Sequence, residues 1–120
     1  STLVARIVTN DDTPTEMLLD DSAAVLEMPS DTVWGYVIRV LASNIPNAGS
    51  AFFENKGFVR NNGGVLTVGS PGTTTIHDDE FGGWTVAVSA VSTHLAITVT
   101  GQFETTVRWV AEINLIQMGV

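Results

Sequence analysis

The chain contains no cysteine among its 120 residues. That excludes disulfides, thiol nucleophiles and cysteine-ligated zinc, and it leaves the redox compartment open. Cations are also scarce: Lys and Arg number 5 against 13 Asp and Glu, for a net charge of −8. Nucleic acids and anionic lipid surfaces are held by positive patches, so this balance argues against both as partners. No apolar run approaches the ~20 residues of a transmembrane helix. The opening "STLVARIVTN" lacks the basic region and apolar stretch of a signal peptide. Ser1 reads either as the residue behind a removed initiator Met or as the cut end of a fragment. Convincing amphipathic helices, internal repeats and low-complexity tracts are missing as well.

What remains is strand after strand, separated by turn chemistry. The length fits one domain, residues 1–120, able to bury roughly 65% of its unfolded surface. Residues 1–8 lead as an N-terminal arm or an edge strand, with strand composition from Leu3 to Thr9. "NDDTPT" then makes a turn, with Asn and Asp bonding their own backbone and Pro14 setting φ. In "TVWGYVIRVLAS", Trp34, Tyr36, Ile38 and Val40 share one parity and Val33, Gly35, Val37, Arg39 and Leu41 the other. Both parities are largely apolar, which predicts a central strand covered on both sides. Gly35 and the β-branched residues argue against a helix there. "AFFENKGFVRNN" predicts a strand ending in an "NNGG" hairpin, because Asn and Gly accept positive φ. "VLTVGSPG" and "TTTI" read as two pieces split by a Ser-Pro-Gly turn, and the glycines of "NNGG", "GSPG" and "FGG" as turn glycines.

The last third alternates most cleanly. Trp84, Val86, Val88 and Ala90 face one way; Leu95, Ile97 and Val99 oppose Ala96, Thr98 and Thr100. Val107, Trp109, Ala111, Ile113 and Leu115 oppose Thr106, Arg108, Val110, Glu112 and Asn114. This is the half-buried pattern of antiparallel strands. The expected fold is all-β: a single antiparallel β-sandwich, jelly-roll-like, of eight to ten short strands.

Catalytic signals are thin. The acidic groups Asp11–Asp12, Asp20–Asp21 and Asp78–Asp79–Glu80 supply the oxygen ligands that Ca²⁺ takes, with "HDDE" the best candidate. No EF-hand spacing accompanies them, so they read as solvated turns, and no cofactor or metal is expected. No carboxylate pair is placed across a cleft for glycoside hydrolysis. His77 and His94 stand beside loops, and no "GxSxG" elbow or other nucleophile signature is present. No glycine run follows a strand and opens a helix, so a phosphate cradle is unsupported. The chain is therefore read as no enzyme. Trp34, Trp84 and Trp109 take core parity. Phe81 and Phe103 lie near loops, where an aromatic stacks on a sugar ring or packs on a neighbouring subunit. The loops "NIPNAGS", "HDDEFGG" and "GQFE" make Asn47, Asp78, Asp79, Glu80, Phe81 and Phe103 the binding candidates. Arg39 and Arg108 stand among apolar neighbours and want carboxylate partners, which another subunit could supply. They are the candidate oligomer-interface residues.

The succession "DDTPTEML", "VWGYVIRVLAS", "ENKGFVRNNGG" and "GGWTVAVSAVSTHLAITVTGQFETTVRWVAEI" resembles a domain at the C-terminal ends of bacteriophage and prophage tail-fibre and related virion surface proteins. The likeness runs from about Thr9 to Ala111. Its most specific part is the ending Thr106-Val107-Arg108-Trp109-Val110-Ala111, and "NGGVLTVGSPG" is its loosest. The resemblance implies an all-β virion structural protein, a homotrimer on the phage particle surface, made in the host cytoplasm. It would act in host-surface attachment or fibre-tip assembly, with other virion proteins and a host surface glycan as partners. The chain departs from a long fibre in having no repetitive shaft. The alternative is a capsid decoration (cement) protein or a head fibre.

Overall fold

The computed structural model describes residues 2–19, 24–45, 49–77 and 83–119, without the side chains of residues 45, 70, 71 and 75–77. Among the described residues, period-two alternation of apolar and polar residues becomes ten strands: β1 (Thr2–Thr9), β2 (Thr15–Glu16), β3 (Leu18–Leu19), β4 (Leu26–Glu27), β5 (Thr32–Ile45), β6 (Ser50–Asn62), β7 (Val65–His77), β8 (Thr85–Val91), β9 (His94–Thr100) and β10 (Thr106–Gly119). They form two antiparallel sheets. One has six strands in the order β3-β1-β10-β5-β6-β7; in the other, β9 carries β8 on one side and the short β2 and β4 on the other. Every pairing is antiparallel, and no helix occurs among the described residues, so the expected β-sandwich is what the chain forms. The N-terminal strand β1 pairs along its whole length with β10, and two residues of β3 pair on its other side.

The core fills the gap between the sheets. From the large sheet come Ala5, Trp34, Tyr36, Ile38, Val40, Phe53, Val59, Val107, Trp109, Ala111 and Ile113. The small sheet answers with Val86, Val88, Leu95, Ile97 and Val99, and Trp84 packs in just ahead of β8. Each large apolar side chain taken fully out of water contributes about 1.5–3 kcal/mol. Trp109 is the hinge of this packing: it lies 6.0 Å from Phe53 in its own sheet and 6.0 Å from Trp84 across the gap, centroid to centroid. All three indole N–H groups donate to side-chain oxygens: Trp34 to Gln117 Oε1 at 2.8 Å, Trp84 to Gln102 Oε1 at 3.3 Å and Trp109 to Thr9 Oγ1 at 2.9 Å. A buried indole without such a partner would carry a desolvation cost.

Three expectations need correction. β7 is one strand from Val65 to His77, running through Ser70-Pro71-Gly72 instead of turning there. It is the last strand of its sheet, and an edge strand tolerates a proline that cannot donate to the ladder. The pairing with β6 shifts register between Lys56 and Phe58 to absorb the irregularity. Gly69, expected in a turn, is therefore a strand residue opposite Phe58, and a Cβ there would lie 2.3 Å from the Phe58 ring. The ring lies where that side chain would stand. Finally, β5 is covered on one face only. Trp34, Tyr36, Ile38 and Val40 are buried, whereas Leu41 on the opposite parity is 55% exposed and Arg39 is open to solvent.

Candidate functional site: the open face of the large sheet

The loop candidates divide. Asn47, Asp78, Asp79, Glu80 and Phe81 lie outside the described residues. Phe103 sits in the turn between β9 and β10 and is 68% exposed, with its carbonyl accepting from Thr105 Oγ1 at 3.0 Å. The next residue, Glu104, has φ 52. The structure places a projecting aromatic there, and no described cavity touches it.

Arg39 and Arg108 both stand on the outer face of the six-stranded sheet, and the register explains their surroundings. Residues directly opposite in neighbouring strands point to the same face. Across β10, β5 and β6 this makes a charged row, Glu112–Arg39–Glu54, with an apolar row, Val110–Leu41–Phe52, beside it. Arg39 Nε donates to Glu54 Oε2 at 3.0 Å, and its Nη1 lies 3.7 Å from Glu112 Oε1. Lys56 Nζ lies 3.4 Å from Glu54 Oε1. The carboxylates expected of another subunit are thus supplied to Arg39 by its own neighbouring strands. Arg39 is 43% exposed, so the pairing adds little stability and chiefly orders the guanidinium. Arg108 has no ion pair among the described residues; Ser43 stands opposite it on β5 and Val8 on β1.

Extending the register outward gathers more of the same. Arg6 is opposite Val110, and Arg60 is opposite Val33 and Thr67. All five cations of the chain, Arg6, Arg39, Lys56, Arg60 and Arg108, therefore share this one face. Of the described carboxylates, Glu54 and Glu112 join them on the strands and Asp31 lines a depression with Arg60 at the rim, whereas β2, β4 and the other turns carry the rest. Large exposed hydrophobic residues follow the same division: all except Val91 and Phe103 stand on this outer face. Two shallow depressions of about 480 Å³ mark it, one between Arg6–Val8 and Arg108–Val110, the other beside Phe58, Arg60 and Val65. Leu41, Phe52, Phe58 and Val110 were not among the residues singled out from the sequence. For Leu41 the signal is the apolar second parity of β5, which by itself predicts burial.

Elsewhere, His94 Nε2 approaches Glu16 Oε2 to 3.1 Å, and Thr93 Oγ1 donates to Glu27 Oε1, so these polar contacts attach β2 and β4 to β9. Among the described residues no group of three or more His, Asp or Glu is placed to hold a metal ion, and no helix is long and apolar enough to cross a membrane. The best Ca²⁺ candidate, "HDDE", falls outside the described side chains.

No model of a known family matches the chain, and no curated protein sequence matches it. Among solved structures the chain is similar to parts of three phage tailspikes. One is tailspike protein gp49 of Acinetobacter baumannii bacteriophage Fri1, a capsular polysaccharide depolymerase (13% identity, TM-score 0.42, 99% of this chain and 19% of that one). Another is the tailspike of Acinetobacter phage vB_ApiP_P1 (10% identity, TM-score 0.44, 100% and 22%). The third is the tailspike of Acinetobacter baumannii phage AM24 (14% identity, TM-score 0.42, 94% and 27%). The chain thus spans about a fifth to a quarter of the length of these tailspikes.

Proposed function

We propose that the chain is a bacteriophage virion structural module: a homotrimeric β-sandwich of a tail fibre or spike that acts in host-surface attachment or fibre-tip assembly. The observation that carries this reading is the ending Thr106-Val107-Arg108-Trp109-Val110-Ala111. It is the most specific part of the resemblance to virion fibre domains, and it begins β10, the strand that lies between β1 and β5, and seats Trp109 at the centre of the core. The same six residues alternate between core and outer face, as a module that must both fold and meet neighbours requires. Recognition of a host surface glycan falls to the loops at the end of the sandwich where Phe103 projects, with other virion proteins at the opposite surface. The module works by binding, without turnover and without a resident cofactor.

Gold-labelled antibody against the chain, applied to particles that carry it, is expected to decorate the tail appendage. Label over the capsid lattice would overturn the tail assignment in favour of a decoration protein. The purified chain is expected to leave capsular polysaccharide at its original chain length, and a shortened polymer would overturn the non-enzymatic part.

A further inference from the structure

β5 has apolar side chains on both parities, the pattern of a strand buried on two sides, yet the four-stranded sheet covers one side only. The uncovered side is the face that collects nearly all the exposed large hydrophobic residues. A monomeric protein scatters such residues; a contiguous apolar patch with a polar rim marks a protein interface. We infer that the outer face of the six-stranded sheet is where a second copy of this chain docks, so that β5 is covered on both sides only in the assembly. The inference rests on the homo-oligomeric part of the proposed function and assigns that assembly its surface.

Charge identifies the occupant. The face carries five cations against Glu54 and Glu112, whereas the whole chain has a net charge of −8. Glu16 and Glu27 belong to the other sheet, Asp11, Asp12 and Glu104 to turns, and Asp31 stands at the rim of the face beside Arg60. Two such faces laid on each other would oppose like charge. The cationic face of one copy and an acidic surface of the next attract. That contact is heterologous, the kind that closes into a ring. Arg60 and Arg108, which have no ion pair among the described residues, gain carboxylate partners in this way. Size agrees. The molecule measures 47 × 26 × 22 Å. The broad side of such a body offers about 1,200 Å², above the ~800 Å² per partner of a stable interface.

Sedimentation velocity of the full chain at micromolar concentration tests this. The wild type is expected to be oligomeric. Leu41→Asp and Phe52→Asp, both at already exposed positions, lose apolar contact and set a carboxylate against the acidic surface of the next copy, and should raise the dissociation constant by about tenfold or more. Val91→Asp, off the face, should leave it unchanged. Because the chain has no cysteine, Leu41→Cys and Val91→Cys each install a single thiol. The first is expected to react with a maleimide several times more slowly than the second when assembled, and equally fast on dilution to monomer. An oligomer indifferent to the face substitutions, with the Leu41→Cys thiol freely labelled, would overturn the inference and leave a trimer built through another surface. A stable wild-type monomer would overturn the inference and the trimer together, while the gold-labelling outcome for the virion would stand untouched.

Discussion

Tyr36, Asn55 and Thr73 hand one hydrogen bond to the next from the core out to its edge. Tyr36 Oη donates to Asn55 Oδ1 at 3.0 Å, Asn55 Nδ2 to Thr73 Oγ1 at 2.7 Å, and Thr73 Oγ1 to the Val86 carbonyl at 3.2 Å. The chain of bonds crosses from β5 to β8 and so ties the two sheets together by polar contact as well as by packing. Removing its middle member strands a buried donor and an acceptor. Asn55→Ala is therefore expected to cost about 1–3 kcal/mol in urea-unfolding free energy. Adding Tyr36→Phe to it should cost much less than Tyr36→Phe alone, because the pair acts as a unit. Burial also pushes the Tyr36 hydroxyl above its ordinary pKa. The folded state then holds its proton where the unfolded chain has released it. Stability is undiminished below about pH 10 and falls as pH rises beyond it. Tyr36 is the only tyrosine, so tyrosinate absorbance followed against pH reads this group alone. Ionisation near pH 10 with the fold intact would contradict the assignment. Sequence parity placed Tyr36 inward, but it could not show that Asn55, 19 residues away, would turn its amide to the phenol.

At the scale of the elements, the β6–β7 hairpin is the most legible. Asn62-Gly63-Gly64 joins them, with φ 60 at Gly63 and 94 at Gly64, conformations that a side chain disfavours. Asp31 Oδ1 accepts from Gly63 N at 3.2 Å and Asn61 Oδ1 from Gly64 N at 2.8 Å, which holds the turn to the start of β5. Gly64→Ala should lower stability by about 1–2 kcal/mol without changing the burial of the core. A thermal midpoint equal to wild type would refute it. The far half of the same hairpin departs from its local sequence signals. Ser70-Pro71-Gly72 carries every local mark of a turn. Whether such a segment bends depends on whether both its sides must be paired. β7 needs only one ladder, so the chain runs straight on with a register shift. That condition is set by sheet order, which no local pattern encodes. Likewise the alternation in β5 announced two apolar faces. It could not say which layer, within one chain or from another, would lie on the second.

For the molecule as a whole, charge and apolar surface are segregated instead of mixed. A single sheet face gathers Arg6, Arg39, Lys56, Arg60 and Arg108 with Leu41, Phe52 and Phe58, on a body that is otherwise acidic. If copies assemble through that face, folding and association are linked. The midpoint of thermal unfolding should then rise by a few degrees over about a hundredfold increase in protein concentration. A midpoint independent of concentration would speak for an isolated folding unit. The amino-acid sequence by itself determined that the fold is all-β, that it is a two-layer antiparallel sandwich, and that Trp34, Trp84 and Trp109 face inward. Those properties depend on period-two alternation and turn chemistry, which act over a few residues. Only the tertiary structure decided that β10 lies between β1 and β5, that Arg39 finds Glu54 and Glu112 within its own chain, and that all the cations meet on one uncovered face. Those depend on which strands become neighbours, and strand neighbours are chosen by burying the greatest apolar surface among residues far apart in the chain.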